Sequence, residues 1–341
     1  MMTHHARRLV ATGIAVAGLA AGVPSASAAT LQVDDDGVQC PAAAFESIQA
    51  AVDASGPRDT VLVCNGTYGH VRIAGAEHAG LRLRARVIGG ATVVPDGDET
   101  APDGIAVAAG ATGVQVSGFV VRRSFTFDDP FQRRGIRVDF GGSTTTIRDN
   151  RVIGAFSEHI AITQGATRDI THNRIQGPSA TAIDVGGPTV LVADNTIAVP
   201  PESGFAAIYV NGSSDAYAGL VVSGNRISGT SAATGIYIED AFDDRVLFRQ
   251  NTVSGMGTGI KLNDATGIRV ERNVAKRNVV GIQVDASAFR NVLVRNTALG
   301  NSQVDCRDEV PFTDPPSPTT PDNSWIANLG RTADPAGICR P

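Results

Sequence analysis

Seven times the chain repeats an Ile-centred tetrad (GIRV, HIAI, AIDV, AIYV, GIYI, GIKL and GIQV), and nothing else in it restricts the fold as strongly. The central residues are Ile136, Ile160, Ile183, Ile208, Ile236, Ile260 and Ile282, with steps of 24, 23, 25, 28, 24 and 22 residues between them. After each tetrad an apolar segment ends in Asn, at Asn150, Asn173, Asn195, Asn225, Asn251, Asn273 and Asn296. A third short stretch follows, as in NRVIG, NRIQG, NRISG and NTVSG. Two out-of-phase marks that keep one period mean stacked repeats.

Within the unit, apolar and polar residues alternate with period two, which predicts strands. Three short strands and their turns fill about 22 residues, one coil of a parallel β-helix, each coil about 4.8 Å above the last. In the tetrad, the Ile and the residue two places on point inward and the residue between them points out. Asn at the same turn of every coil predicts a ladder of amide hydrogen bonds, a structural role.

These repeats resemble those of the right-handed parallel β-helix, pectate-lyase-like superfamily, as a secreted bacterial member, over most of Leu31 to Pro341. The resemblance implies an all-β fold: a single-stranded right-handed parallel β-helix, or solenoid. It implies no single activity, because the superfamily holds lyases, hydrolases, epimerases, tailspikes and inert surface proteins. GAFSEHIAI is loosely similar to the acidic-His strand motif of alginate epimerases but lacks its Asp-Pro-His order. The motifs of polygalacturonases and the calcium-binding acids of pectate lyases are absent at recognisable spacing, so no residue role carries over.

Residues 1–28 read as a signal peptide: Arg7 and Arg8, an apolar stretch, then Ala26-Ser27-Ala28 as a cleavage site. Export follows, to an extracellular location, and the apolar run is too short for a membrane span. Removing that segment leaves 27 basic residues (29 minus Arg7 and Arg8) against 34 acidic ones, a formal charge of −7. That balance argues against nucleic acid as a partner and repels a polyanion unless basic residues are locally concentrated.

Four cysteines fall in two pairs, Cys40 with Cys64 and Cys306 with Cys339, and export favours disulfides. Two other pairings exist formally, but a stacked helix holds its ends far apart. We expect one domain over 29–341: an N-terminal cap and first coil over 29–70, coils over 71–304 and a C-terminal loop cap over 305–341. Phe45, Ile48 and Val52 lie on one face of a short capping helix, which would cover the open sheet edge. The segment containing Trp325 is expected to return and plug the last coil. A chain with covered ends has no need to associate, so a monomer is expected.

A packed solenoid puts chemistry on an outer face. The outward tetrad positions are Arg137, Ala161, Asp184, Tyr209, Tyr237, Lys261 and Gln283. Two residues on come Asp139, Thr163, Gly186, Asn211, Glu239, Asn263 and Asp285. Aromatic faces and convergent polar groups suit a polysaccharide groove, although any solvated sheet carries mixed polar residues. His159 stands out because it occupies a slot that elsewhere holds Gly or Ala. The expected catalytic set is Arg137, His159, Asp184 and Tyr209, with Asp139, Tyr237, Glu239, Lys261 and Asn263 binding substrate.

On a uronate polymer, an Arg or a cation would neutralise the carboxylate and His159 or Tyr209 would remove the C5 proton, giving a lyase or C5-epimerase. A hydrolase would use two carboxylates instead, with Asp139 and Asp184 the candidates. The rival reading is a non-catalytic extracellular β-helix that binds glycan or a cell surface. No cofactor is certain for any of these. Ca²⁺ is a candidate at the acidic turn of Glu239, Asp240, Asp243, Asp244 and, on the next coil, Asp264, where a solvated turn is the plainer explanation. An insertion, RRSFTFDDPFQRR, precedes the His159 coil and is expected to arch over the groove.

Overall fold

The structure is a computed structural model that describes residues 27–95, 103–123, 133–139, 144–163, 166–177, 179–212, 219–230, 232–242, 245–310 and 322–341. Residues 1–26 of the expected signal peptide, most of the insertion, and Asp243 and Asp244 lie outside the described residues.

Period-two alternation produces three parallel sheets, of 12, 11 and 10 strands, and each coil contributes one strand to each sheet. The fold is therefore an all-β, right-handed parallel β-helix. In the 11-stranded sheet the tetrads stack in register: Ile136 pairs with Ile160, and Ile160 with Ile183. The column continues through Ile208, Ile236, Ile260 and Ile282. All seven isoleucines are fully buried, and each contributes about 1.5–3 kcal/mol relative to exposure.

The Asn column forms the expected ladder. In each rung the backbone N–H and Nδ2 of one Asn both donate to Oδ1 of the next, as from Asn195 to Asn225 at 3.0 Å. Nδ2 also donates to a carbonyl of a preceding coil, from Asn225 to Val192 at 2.9 Å. The ladder runs on to Asn328. The residue before each Asn is left-handed, for example Asp149, His172, Asp194, Gln250, Arg272 and Arg295, with φ between 53° and 58°. Such a residue costs about 1–2 kcal/mol unless it is glycine, and the paired amides around each turn offset it.

Thr30–Val33 and Thr60–Val63 pair in the 12-stranded sheet, inside the segment expected to hold the cap and first coil, and Val304–Asp308 continues the 11-stranded sheet. Ser324–Ile326 does not plug the end of the solenoid. It pairs in parallel with Val292–Val294 and places Trp325 opposite Leu293, and the Trp325 Nε1 donates to Asp308 at 2.7 Å. This segment is a further coil because Asn323 and Asn328 extend two amide ladders into it.

Cys40–Cys64 and Cys306–Cys339 are disulfides, as expected. Cys306 takes the slot after Ile282 in the inward column. The helix Ile48–Asp53 starts later than the Phe45 pattern suggests, with Ser47 as its N-cap, and buries Ile48, Ala51 and Val52. Phe45 instead bridges to Val33. Gln49 on this helix pairs with the backbone of Arg72: its Oε1 accepts from the N–H at 2.8 Å and its Nε2 donates to the carbonyl at 3.0 Å. Arg72 lies on Val71–Ile73, the end strand of the 11-stranded sheet, so one amide satisfies two edge groups.

Candidate functional site

Strand register brings the outward positions into one row on the 11-stranded sheet. Arg137 pairs with Ala161, Ala161 with Asp184, and Asp184 with Tyr209. Tyr237, Lys261 and Gln283 follow on successive coils. Ala161 is fully buried, so a methyl floor separates Arg137 from Asp184.

On one side of Asp184 lies a charged cluster. Arg137 bridges Asp103 at 3.1 Å and Asp139 at 2.5 Å. Burial lowers the Arg137 pKa, but the two carboxylates outweigh it and leave the guanidinium more basic than usual. Arg134 pairs with Oε2 of Glu158 at 3.0 Å, and Ser157 Oγ donates to the same oxygen at 2.8 Å. Among the described residues nothing donates to Oε1 of Glu158.

On the other side lies an aromatic cluster. The Tyr209 and Tyr237 rings stack with centroids 5.5 Å apart, and Phe205 meets both edge-on at 4.8 and 5.1 Å. Phe205 is 42% exposed, which is unusual for its type. Glu239 holds the two phenols together: Tyr209 donates to its Oε2, and Tyr237 to its Oε1 at 2.9 Å. Asn263 adds a third bond at 3.0 Å. Burial and these bonds to Glu239 raise both tyrosine pKa values. Burial opposes ionisation of Glu239, but the donated bonds outweigh it and hold its pKa down. Lys261 pairs with Asp285 at 3.0 Å and lies 5.3 Å from the centre of the Tyr237 ring.

Between the clusters stands Asp184, to whose carboxylate no described residue donates a hydrogen bond. Burial pushes its pKa up to about 6; the charge of Glu158 adds to the rise and Arg134 opposes it. A carboxyl that titrates near neutral pH is suited to general acid or base work.

Two expectations change. His159 is not on this face. Its ring is fully buried, its Nε2 lies 3.0 Å from the Gly154 carbonyl, and it packs edge-on against Phe156 at 5.5 Å. Burial lowers its pKa to about 4, against hydrogen bonds to the backbone of Gly154 and Gln176. A side chain inside the coil wall cannot reach a polymer, so His159 leaves the site. The expected carboxylate pair also changes: Asp139 is tied to Arg137, and the carboxylate that Asp184 feels is Glu158.

Asp103, Arg134, Glu158 and Phe205 belong to the face and were not among the expected site residues. Asp103 was legible, since Gly104-Ile105-Ala106-Val107 is an eighth tetrad, in register with Ile136 to Val138. At the acidic turn, Glu239 is engaged by its three donors. Burial raises the Asp240 pKa, and a hydrogen bond with Asp264 adds to the rise.

With this geometry the chain is a right-handed parallel β-helix carrying a row of polar and aromatic side chains along one sheet. Residues 160–307 match the family model described as right handed beta helix region. No curated protein matches the chain by sequence. Among solved structures it is similar to the A-module of mannuronan C-5 epimerase AlgE4 from Azotobacter vinelandii, at 16% identity and a TM-score of 0.52. That match covers 84% of this chain and 83% of the other. A GH87 α-1,3-glucanase catalytic unit from Streptomyces thermodiastaticus aligns at 14% identity and a TM-score of 0.48, over 93% of this chain and 71% of the other. Pectate lyase Pel9A aligns at 17% identity and a TM-score of 0.42, over 90% and 79%. At these identities the likeness concerns the fold.

Proposed function

We propose that the protein is an exported polysaccharide-acting enzyme that binds a glycan strand along the outer face of the 11-stranded sheet, with Asp184 as its proton-transfer residue. The observation that carries the reading is the placing of Asp184. It is a carboxyl with a pKa near 6, in register with Tyr209 at the edge of the aromatic cluster. Sugar rings stack on such aromatic faces, and the adjoining carboxyl then lies beside the bound strand. The two disulfides accord with export.

The charge of the face favours a neutral glycan over a polyuronate. From Asp103 to Asp285 each cation of the face is held by a carboxylate: Arg137 by Asp103 and Asp139, Arg134 by Glu158, and Lys261 by Asp285. Within that stretch no described guanidinium is spare to neutralise a uronate; Arg72 and Arg307, at the two ends of the same row, lie outside it. Hydrolysis needs one protonated carboxyl and one ionised partner. Asp184 would give its proton to the glycosidic oxygen, and Glu158, through its Oε1, would orient or deprotonate the attacking water.

A second reading rests on the register of Asp184 with Tyr209. Ionised Asp184 would take the C5 proton of a uronate, and the neutral phenol of Tyr209, once released from Glu239, would act as the acid, giving elimination or epimerisation. That route requires an added cation for the substrate carboxylate. Incubation with neutral and uronate glycans separates the readings. Reducing-end release without absorbance near 235 nm supports hydrolysis, and a rise near 235 nm supports elimination. NMR conversion of the uronate without chain cleavage supports epimerisation. Glycan retention with none of these products supports the non-catalytic alternative and removes the enzyme reading.

A further inference from the structure

The 12-stranded sheet carries a second, oppositely charged feature. Arg82 and Arg84 alternate outward on Arg82–Ala85. Arg82 pairs in register with Gln115, and Arg84 with Ser117. Ser117 pairs in turn with Arg148, so Arg84 and Arg148 stand two coils, about 10 Å, apart. With Arg86, these residues line a hollow of about 500 Å³.

The hollow is not the neutralised surface of the groove. Arg82 and Arg84 are exposed, and neither forms an ion pair among the described residues. Gln115 and Ser117 make no side-chain hydrogen bond there. Arg86 uses one nitrogen on the Gln39 carbonyl, at 3.4 Å, and on Cys40 Sγ, at 3.0 Å. Asp149 is the one carboxylate of the lining. It faces Arg148 at 3.5 Å with both side chains partly in solvent, a weak pairing. A chain with a net negative charge has therefore concentrated four guanidiniums around one hollow. Guanidinium is planar and presents paired donors that match carboxylate and sulfate oxygens, and Gln115 and Ser117 add neutral donors between the charges.

We infer that this hollow is a binding site for an anionic polysaccharide, recognised through its carboxylate or sulfate groups and separate from the Asp184 groove. The spacing of Arg84 and Arg148 favours more than one charge on one ligand over a single ion. The site would hold the protein on an acidic glycan surface while the other sheet meets its own strand.

The test is calorimetric titration of the full mature chain at low salt with a heparin-derived octasaccharide, polygalacturonate oligomers, dextran of similar size, inorganic phosphate and duplex DNA. The expected result is binding of one or both anionic glycans, sulfated or uronate, and none of dextran. Arg84→Ala and Arg148→Ala should each weaken it roughly tenfold, the scale of one lost charge-assisted contact, with the melting temperature unchanged. Arg82→Ala serves if either variant fails to fold. Asp184→Asn should leave this binding intact, which separates the site from the groove. Absent glycan binding, or binding unchanged in the arginine variants, would overturn the inference. Phosphate or DNA bound as tightly as the glycans would overturn the assignment to a polysaccharide.

Discussion

Asp184 and Tyr209 stand opposite each other on adjacent strands, yet the Tyr209 hydroxyl turns away and donates to Glu239 one coil further on. The phenol is thus committed, and among the described residues the carboxyl of Asp184 has no donor. This division fixes which residue of the row is poised to exchange a proton and which make a platform.

The platform makes its own prediction. Phe205→Ala or Tyr209→Ala should weaken retention of a glycan ligand roughly tenfold each, the scale of an aromatic contact; Tyr237, buried beneath them, supports the stack. Glu239→Gln should weaken it less, because an amide still accepts one phenol. Affinity electrophoresis measures all three, and equal mobility of the wild type and both alanine variants would remove the aromatic face from binding.

Two groups make stability depend on pH in opposite directions. Asp184 titrates near 6 when folded against 3.8 ordinarily, so the folded state binds the extra proton and stability falls as pH rises from about 4 to 6. Asp184→Asn should recover on the order of 2 kcal/mol above pH 6. His159 titrates near 4 against 6.5, so its contribution falls as pH drops from 6.5 to 4. His159→Gln should flatten that acid limb while leaving any turnover in place. Urea melts across pH 4–8 report both slopes, and identical profiles for wild type and variants would contradict the burial of these groups.

Asn225→Ala breaks one rung. It leaves the backbone N–H and Nδ2 of Asn195 and the Val192 carbonyl without their partners. At about 1–3 kcal/mol for each buried unsatisfied group, a total loss of at least about 3 kcal/mol is expected. An Asn195→Ala, Asn225→Ala pair should cost less than the sum of the singles, because the two share bonds. Chemical denaturation of the three variants tests this, and additive losses would contradict the ladder.

The sequence carried the solenoid because a period of about two dozen residues is written twice, in isoleucines and in asparagines. The outward row followed from it, since a strand alternates strictly and one inward Ile dictates its neighbours. His159 escaped that logic. It is the second residue of the strand Glu158–Thr163 and is buried beside the inward Ile160, packed against Phe156, where strict alternation would point it outward. Asp103 was missed because its tetrad sits 31 residues before the next, across a longer excursion of the chain. The Trp325 segment was expected to plug the last coil, although Asn323 and Asn328 already carried the ladder signal. The pairing of each groove cation with a carboxylate depends on rotamers that no repeat encodes.

Breaking Cys40–Cys64 with a Cys64→Ser, Cys40→Ser pair should cost roughly 3 kcal/mol, from the loop of 24 residues it closes. Differential scanning calorimetry of the double variant measures it, and an unchanged melting temperature would mean that the first coils hold without the bridge.

The measurement that tests the account most directly compares the wild type with Asp184→Asn on a panel of neutral and uronate polysaccharides, following reducing ends and absorbance near 235 nm from pH 5 to 8. The account predicts product from the wild type, with a pH profile that turns near 6, and a loss of at least about a hundredfold in the variant, the scale of general acid–base catalysis. Equal turnover by the two proteins would contradict the assignment of proton transfer to Asp184.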